Sequence, residues 1–146
     1  MASAMAPFEV MIVDDEPADV LLLRMALGQA GYACNVTTAG NGAEALEKLR
    51  ECAKAHRPGP DLILLDLNMP QMSGQEFLLK ARQEPGVRLP PVVVVSTSDA
   101  ERDVSAAYAS GASGYLPKPV DIDDLFVAVK RIEDYWFGTM RRPAQL

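Results

Sequence analysis

The chain has 146 residues, 49% of them hydrophobic, with Lys+Arg 14 against Asp+Glu 20 and a formal net charge of -6. That length gives one domain with a proper core, and the acidic balance argues against a non-specific binder of nucleic acid or of an anionic membrane surface. No run approaches membrane-spanning length and residues 1–7 lack a basic segment followed by an apolar one, so no signal peptide or anchor is expected and the chain reads as cytoplasmic.

Taken in order, Phe8 to Val13 is strand-like and runs into Asp14, Asp15, Glu16 and Pro17, where the proline suits the first position of a helix. That helix carries Val20, Leu23 and Leu27 at helical spacing and stops at Gly31. A more polar strand over residues 34–38 reads as an edge strand. Asn41 with Glu44 three residues on then opens a helix through about residue 55. Cys34 and Cys52 lack metal-type spacing and read as reduced structural thiols, and His56, beside Arg57 and Pro58, as a solvated loop histidine.

Residues 61–67 form an apolar run bounded by prolines at 58, 60 and 70, which fits a central parallel strand covered on both faces and delivers Asp66 at its carboxyl end. Ser73 and Glu76 form a capping box before Phe77, Leu78 and Ala81. Val92 to Val95 is a second doubly buried strand, ending in Ser96, Thr97 and Ser98; a capping box from Ser98 to Glu101 is expected to start a fourth helix that ends near Gly111. Gly114, Tyr115 and Leu116 make a last short strand, and a final helix opening at Asp121 carries Leu125, Val129, Ile132 and Trp136 on one stripe.

Five alternations of strand and helix with short connections predict an α/β fold, a doubly wound parallel sheet with helices on both faces. A polar second strand at the edge favours the order 2-1-3-4-5, a flavodoxin-like arrangement that makes the ends of strands one and three neighbours. Asp14, Asp15 and Asp66 should then converge. Gathered carboxylates raise one another's pKa unless a cation compensates, and carboxylate oxygens with a backbone carbonyl, which Asn68 is placed to supply, are what Mg²⁺ accepts. Each residue also has a plainer role: acids at a helix start complement its dipole, Ser96 can bond the next turn, Tyr115 can fill a core and Lys118 can be a surface charge. Against that, Lys118 follows the fifth strand between Pro117 and Pro119, on the same rim as Ser96 and Asp66.

With these positions in order from Val10 to about Val129, the sequence resembles the receiver domains of two-component response regulators. The resemblance implies that Asp66 is the phosphoacceptor, that Asp14, Asp15, Asp66 and Asn68 hold Mg²⁺, and that Lys118, Ser96 and Thr97 bind the phosphoryl group. It further implies that Ser96 and Tyr115 form the conformational switch, that Asn68 and Ser98 tune acyl-phosphate hydrolysis, and that the Lys118–Pro119 bond is cis. Spacing to Lys118 favours Ser96 over Thr97 as the switch hydroxyl. Asp66 would take its phosphoryl group from a sensor histidine kinase, in a signalling domain that assists its own phosphorylation without being an enzyme.

The chain divides into a flexible N-terminus (1–7), the receiver domain (8–137) and a tail (138–146), with no room for a DNA-reading domain. Tyr135, Trp136 and Phe137 offer more aromatic surface than one short helix needs, so a homodimer through the fourth helix, fifth strand and last helix is expected, using Tyr108, Leu125, Val129, Trp136 and Phe137. The segments 16–20, 61–70 and 132–137 are similar to regulators paired with phytochrome-type kinases. A flavin carrier of the same architecture is disfavoured, because acids after strand one would repel a flavin phosphate. The alternatives are a magnesium-dependent phosphohydrolase, which would want an acid where Asn68 stands, and a non-phosphorylated adaptor.

Overall fold

The computed structural model describes residues 6–141. Five strands alternate with five helices: β1 (Phe8–Val13), α1 (Pro17–Gln29), β2 (Cys34–Ala39), α2 (Gly42–Lys54), β3 (Leu62–Leu65), α3 (Gly74–Gln83), β4 (Val92–Ser96), α4 (Glu101–Ser110), β5 (Gly114–Pro117) and α5 (Ile122–Glu133). A π-helical turn, Asp134–Thr139, follows directly on α5. The strands are all parallel in the order β2-β1-β3-β4-β5, as the polar edge strand and apolar central strands predict. The expectations for residues 1–5 and 142–146 lie outside the described residues.

Strand periodicity divides the core. Met11, Val13, Ile63, Leu65, Val92 and Val94 point to one face, where Ala45, Leu46, Leu49, Phe77, Leu78 and Ala107 of α2, α3 and α4 cover them. Val10, Ile12, Leu62, Leu64, Val93 and Val95 point to the other, against Leu23, Ala26 and Leu27 of α1 and Leu125 and Val129 of α5. Every residue of β3 and β4 is buried, which is why both read as unbroken apolar runs. In β2 half-buried residues alternate with exposed ones until Ala39, as befits an edge strand.

The helix starts follow side-chain chemistry in most cases. Glu16 accepts from the Ala18 amide ahead of Pro17, Asn41 from Glu44, and Asp121 from Asp123, while Ser73 and Glu76 form a complete capping box. The fourth helix departs from expectation. Its first residue is Glu101, its N-cap is Ala100 without a side-chain bond, and no Ser98–Glu101 box forms. The Ser98 hydroxyl instead donates to Asp103 Oδ2 at 2.5 Å and accepts from the Ala100 amide, so it closes a turn outside the helix.

The α5 stripe is likewise inward. Leu125, Val129 and Phe137, expected on an exposed dimer face, are buried against α1 and the sheet, because α5 packs along α1 and needs that stripe for it. Phe137 in the π-helical turn stacks on Phe8 at a centroid distance of 4.0 Å and meets Tyr32 edge-on, and the Tyr32 hydroxyl donates to Asp134 at 2.8 Å. Tyr108 and Tyr135 remain half exposed, and Trp136 is partly covered.

Beneath this turn Glu133 is fully buried. One carboxyl oxygen receives the Cys34 thiol at 3.7 Å, and the other has no hydrogen-bond partner. Burial drives its pKa up to about 7; the Cys34 contact and Lys130 oppose the shift and Asp134 adds to it. The same burial, with the Glu133 charge, pushes the Cys34 thiol up to about 12. Glu133 therefore takes up a proton on folding between its ordinary value and about pH 7, and the stability this contributes is lost as pH rises through that window. Glu133→Gln should unfold at higher urea than the wild type at pH 8, by on the order of 2 kcal/mol, with the gap closing at pH 4.5. Parallel urea midpoints across that range would refute the buried-carboxyl account.

Candidate functional site

The site lies at the carboxyl ends of β1, β3, β4 and β5, the rim where parallel sheets present ligand crevices. Pairing of β1 with β3 aligns Val13 with Leu65, so the residues that follow, Asp14 and Asp66, emerge side by side. The Asp66 amide extends the ladder to the Val13 carbonyl at 2.8 Å, and the Asp14 amide bonds the Ala39 carbonyl at 3.0 Å. Asp14, Asp15 and Asp66 each bring a carboxylate oxygen within 4.8 Å of the others. Asp14 is buried, Asp66 half-buried and Asp15 exposed, so the cluster opens to solvent on one side.

The electrostatics of the trio follow from its depth. Burial pushes the Asp14 carboxyl up to about 6, against the Glu16 amide bond, with the Asp66 charge adding to the rise and Lys118 opposing it. Asp66 is also raised by burial, opposed by the Asn68 amide and Lys118. Three converging carboxylates, two of them raised by burial, with an open side, form a donor set that fits a hard divalent cation. Asn68 is exposed, and its amide donates to Asp66 Oδ1 at 3.4 Å.

Lys118 follows β5, and its amide bonds the Ser96 carbonyl at 2.6 Å, which ties its loop to β4. Its peptide bond to Pro119 is trans, not cis as the resemblance implied; trans is the form an X-Pro amide favours by about 0.5–1 kcal/mol. The ammonium reaches the crevice from this backbone, with Asp19 Oδ2 at 2.8 Å and Asp14 Oδ2 at 3.9 Å. Burial alone would lower its pKa; the Asp19 hydrogen bond and the charges of Asp14 and Asp66 outweigh that and hold it above the ordinary lysine value.

Ser96, fully buried at the end of β4, accepts the Ser98 amide at 3.2 Å, and the Tyr115 hydroxyl donates to the Ser98 carbonyl at 2.7 Å. Both candidate switch residues thus hold the one short segment that leads into α4. Thr97 between them is exposed.

Two contributors escape a reading of the sequence. Asp19, in the first turn of α1, pairs with a lysine 99 residues away, and only the α1 and β5 geometry reveals it. Gly74 opens α3 against the backbone after β3, its amide bonding the Leu67 carbonyl at 3.1 Å. A Cβ there would lie 2.3 Å from the Asp66 carbonyl oxygen and 3.0 Å from Leu67 Cα. The glycine is what lets the α3 start support the Asp66 loop; a glycine before a helical stripe was the available signal.

Residues 10–130 match the response regulator receiver domain, and the chain belongs to that family. It is 35% identical to Response regulator Rcp1 of Synechocystis over 94% of this chain and 95% of that protein. To the Probable methanogenesis regulatory protein FilR2 of Methanothrix harundinacea it is 34% identical over 94% of this chain and 88% of the relative. The phosphorylated cyanobacterial phytochrome response regulator RcpA superposes with a TM-score of 0.85 at 36% identity, over 95% of this chain and all of that one. The Mn²⁺-bound form of Rcp1 superposes with a TM-score of 0.82, over 94% and 100%.

Gly74→Ala provides a test of how the crevice is built. Helix propensity alone favours alanine by up to about 1 kcal/mol, whereas the backbone contact opposes it more strongly. The variant should lose about 1–3 kcal/mol in urea denaturation, by the usual magnitude of overpacking. A gain in stability would show that the Asp66 loop does not rest on this glycine.

Proposed function

We propose that Asp66 accepts a phosphoryl group from the phosphohistidine of a sensor histidine kinase. The observation that carries this is the convergence of the Asp14, Asp15 and Asp66 carboxylates on the rim that also bears Lys118 and Ser96. An Asp66 oxygen attacks phosphorus in line, the phosphorus–nitrogen bond breaks, and the imidazole nitrogen leaves with the bonding pair, giving an acyl phosphate. Asp14, Asp15 and Asp66, with a carbonyl from Asn68, are the residues to hold Mg²⁺, which when bound supplies charge neutralisation at the transferred group. Lys118 neutralises a further phosphoryl oxygen.

Once the group is in place its oxygens attract the Ser96 hydroxyl, with Thr97 adjoining. Ser96 then releases the Ser98 amide, and the segment that Tyr115 also holds is free to change partners. One charge-assisted hydrogen bond is worth about 1.5–3 kcal/mol, enough to bias a two-state surface by about 10- to 100-fold. Asn68 and Ser98 are the residues proposed to tune hydrolysis of the acyl phosphate.

The kinase is proposed to be of the phytochrome type, on the strength of the likeness to RcpA. The exchange takes place in the cytoplasm; no helix among the described residues is long and apolar enough to cross a membrane. The output face is the surface of α4, β5 and α5, where Tyr108, Tyr115, Ile132, Tyr135 and Trp136 line an open cavity of about 450 Å³. A second copy docks there through Tyr108, Tyr135 and Trp136, the aromatic residues that the α1 contact leaves available.

Intact mass after brief incubation with acetyl phosphate should show one phosphoryl adduct that requires both Mg²⁺ and Asp66 and is missing in Asp66→Asn. An adduct on Asp66→Asn would reassign the acceptor. A phytochrome-type kinase should phosphorylate the chain faster than an unrelated sensor kinase, and the reverse order would reject the subtype. In sedimentation, the wild type should dimerise at high concentration and a Tyr108→Ala, Tyr135→Ala double variant should not; a monomeric wild type with and without a phosphoryl mimic removes the dimer.

A further inference from the structure

Lys118 does not hydrogen-bond the proposed phosphoacceptor. Its acceptor is Asp19, at 2.8 Å, with Asp14 next at 3.9 Å. The pair is partly shielded, the lysine side chain being 15% exposed and the aspartate 30%. Asp19 stands at the third position of α1, after Pro17 and Ala18, outside the Asp14, Asp15 and Asp66 trio. An acid in a first helical turn has a plain role in complementing the helix dipole. That role needs no cation from another element, and it does not explain why an ammonium delivered by the loop after β5 settles there.

We infer that Asp19 is a positioning residue, the counter-ion that holds the Lys118 ammonium in the unphosphorylated protein and competes with a phosphoryl group for it. A divalent cation among the three carboxylates and an ammonium beside them repel each other, since both are positive. Asp19 gives the ammonium a partner outside that trio, so that the lysine stays on the rim. When phosphoryl oxygens arrive at Asp66 the lysine side chain exchanges one anionic acceptor for another, without any movement of β5. Engagement of the phosphoryl group then carries the cost of breaking the Lys118–Asp19 bond. This inference rests on Asp66 being the phosphoacceptor.

The test is the equilibrium affinity of the full chain for beryllofluoride in saturating Mg²⁺, read by ¹⁹F NMR of the bound fluorides. Wild type, Asp19→Asn, Lys118→Met and the double variant are compared, with thermal melts verifying that each is folded. Asp19→Asn should bind about five- to tenfold more tightly than wild type, the range set by a partly shielded ionic hydrogen bond. In the Lys118→Met background the same substitution should change affinity by less than about twofold, because the competitor then has nothing to hold. Unchanged or weaker binding by Asp19→Asn overturns the inference, as does an equal gain in both backgrounds, which would mean a general effect of removing a negative charge. A wild-type chain that bound no beryllofluoride would instead remove the phosphoacceptor reading and this inference with it.

Discussion

Concentrated negative charge is the constraint on which the site depends. Asp14 and Asp66 leave adjacent parallel strands at the same height, and the ladder that fixes them, Val13 against Leu65 and the Asp66 amide on Val13, is part of the core itself. The Asp14 and Asp66 backbones cannot move apart without undoing the sheet. Burial of the Asp14 carboxyl, with the Asp66 charge adding to it, pushes Asp14 up to about 6. Everything cationic nearby answers it: the donor geometry suited to a divalent ion, and the lysine that β5 brings across the rim.

Around this fixed charge the structure separates what must be rigid from what can move. β3 and β4 are buried throughout and α3 is seated on the Asp66 loop through Gly74, so Asp66 has little freedom. The segment after Ser96 is held differently, by the Ser96 and Tyr115 hydroxyls and by the Ser98 hydroxyl on Asp103, ahead of an α4 start with no side-chain cap. Single hydrogen bonds of this kind contribute about 1 kcal/mol each, a scale that one phosphoryl group can overturn. Rigidity at Asp66 and attachment by single hydrogen bonds at the segment beside it are complementary requirements for a switch.

How far the sequence discloses this depends on the range over which each feature is encoded. The doubly buried strands and the capping box at Ser73 are local patterns, and they are legible. The meeting of Asp14 with Asp66 is non-local but follows once strand order is known, because parallel pairing aligns strand ends. The Asp19–Lys118 pair is not legible, since no local pattern links residues 99 apart. Ser98 shows the opposite failure: its pattern with Glu101 is right for a cap, yet its hydroxyl oxygen accepts the nearer Ala100 amide while its proton goes to Asp103. The α5 stripe was visible as a stripe, but apolar periodicity says only that a partner exists; α1 takes most of it and leaves Tyr135 and part of Trp136 outside.

The aromatic closure at the other end of the sheet has a practical corollary. Phe137 stacks on Phe8 at the amino end of β1, and Met140 and Arg141 lie beside Asp61 and Pro91, at the amino ends of β3 and β4. Arg141 therefore sits at the rim opposite Asp66, separated from it by roughly the length of a strand, 17–20 Å. A fluorophore joined at Arg141 would report on this domain without occupying the rim that carries Asp66, Lys118 and Ser96.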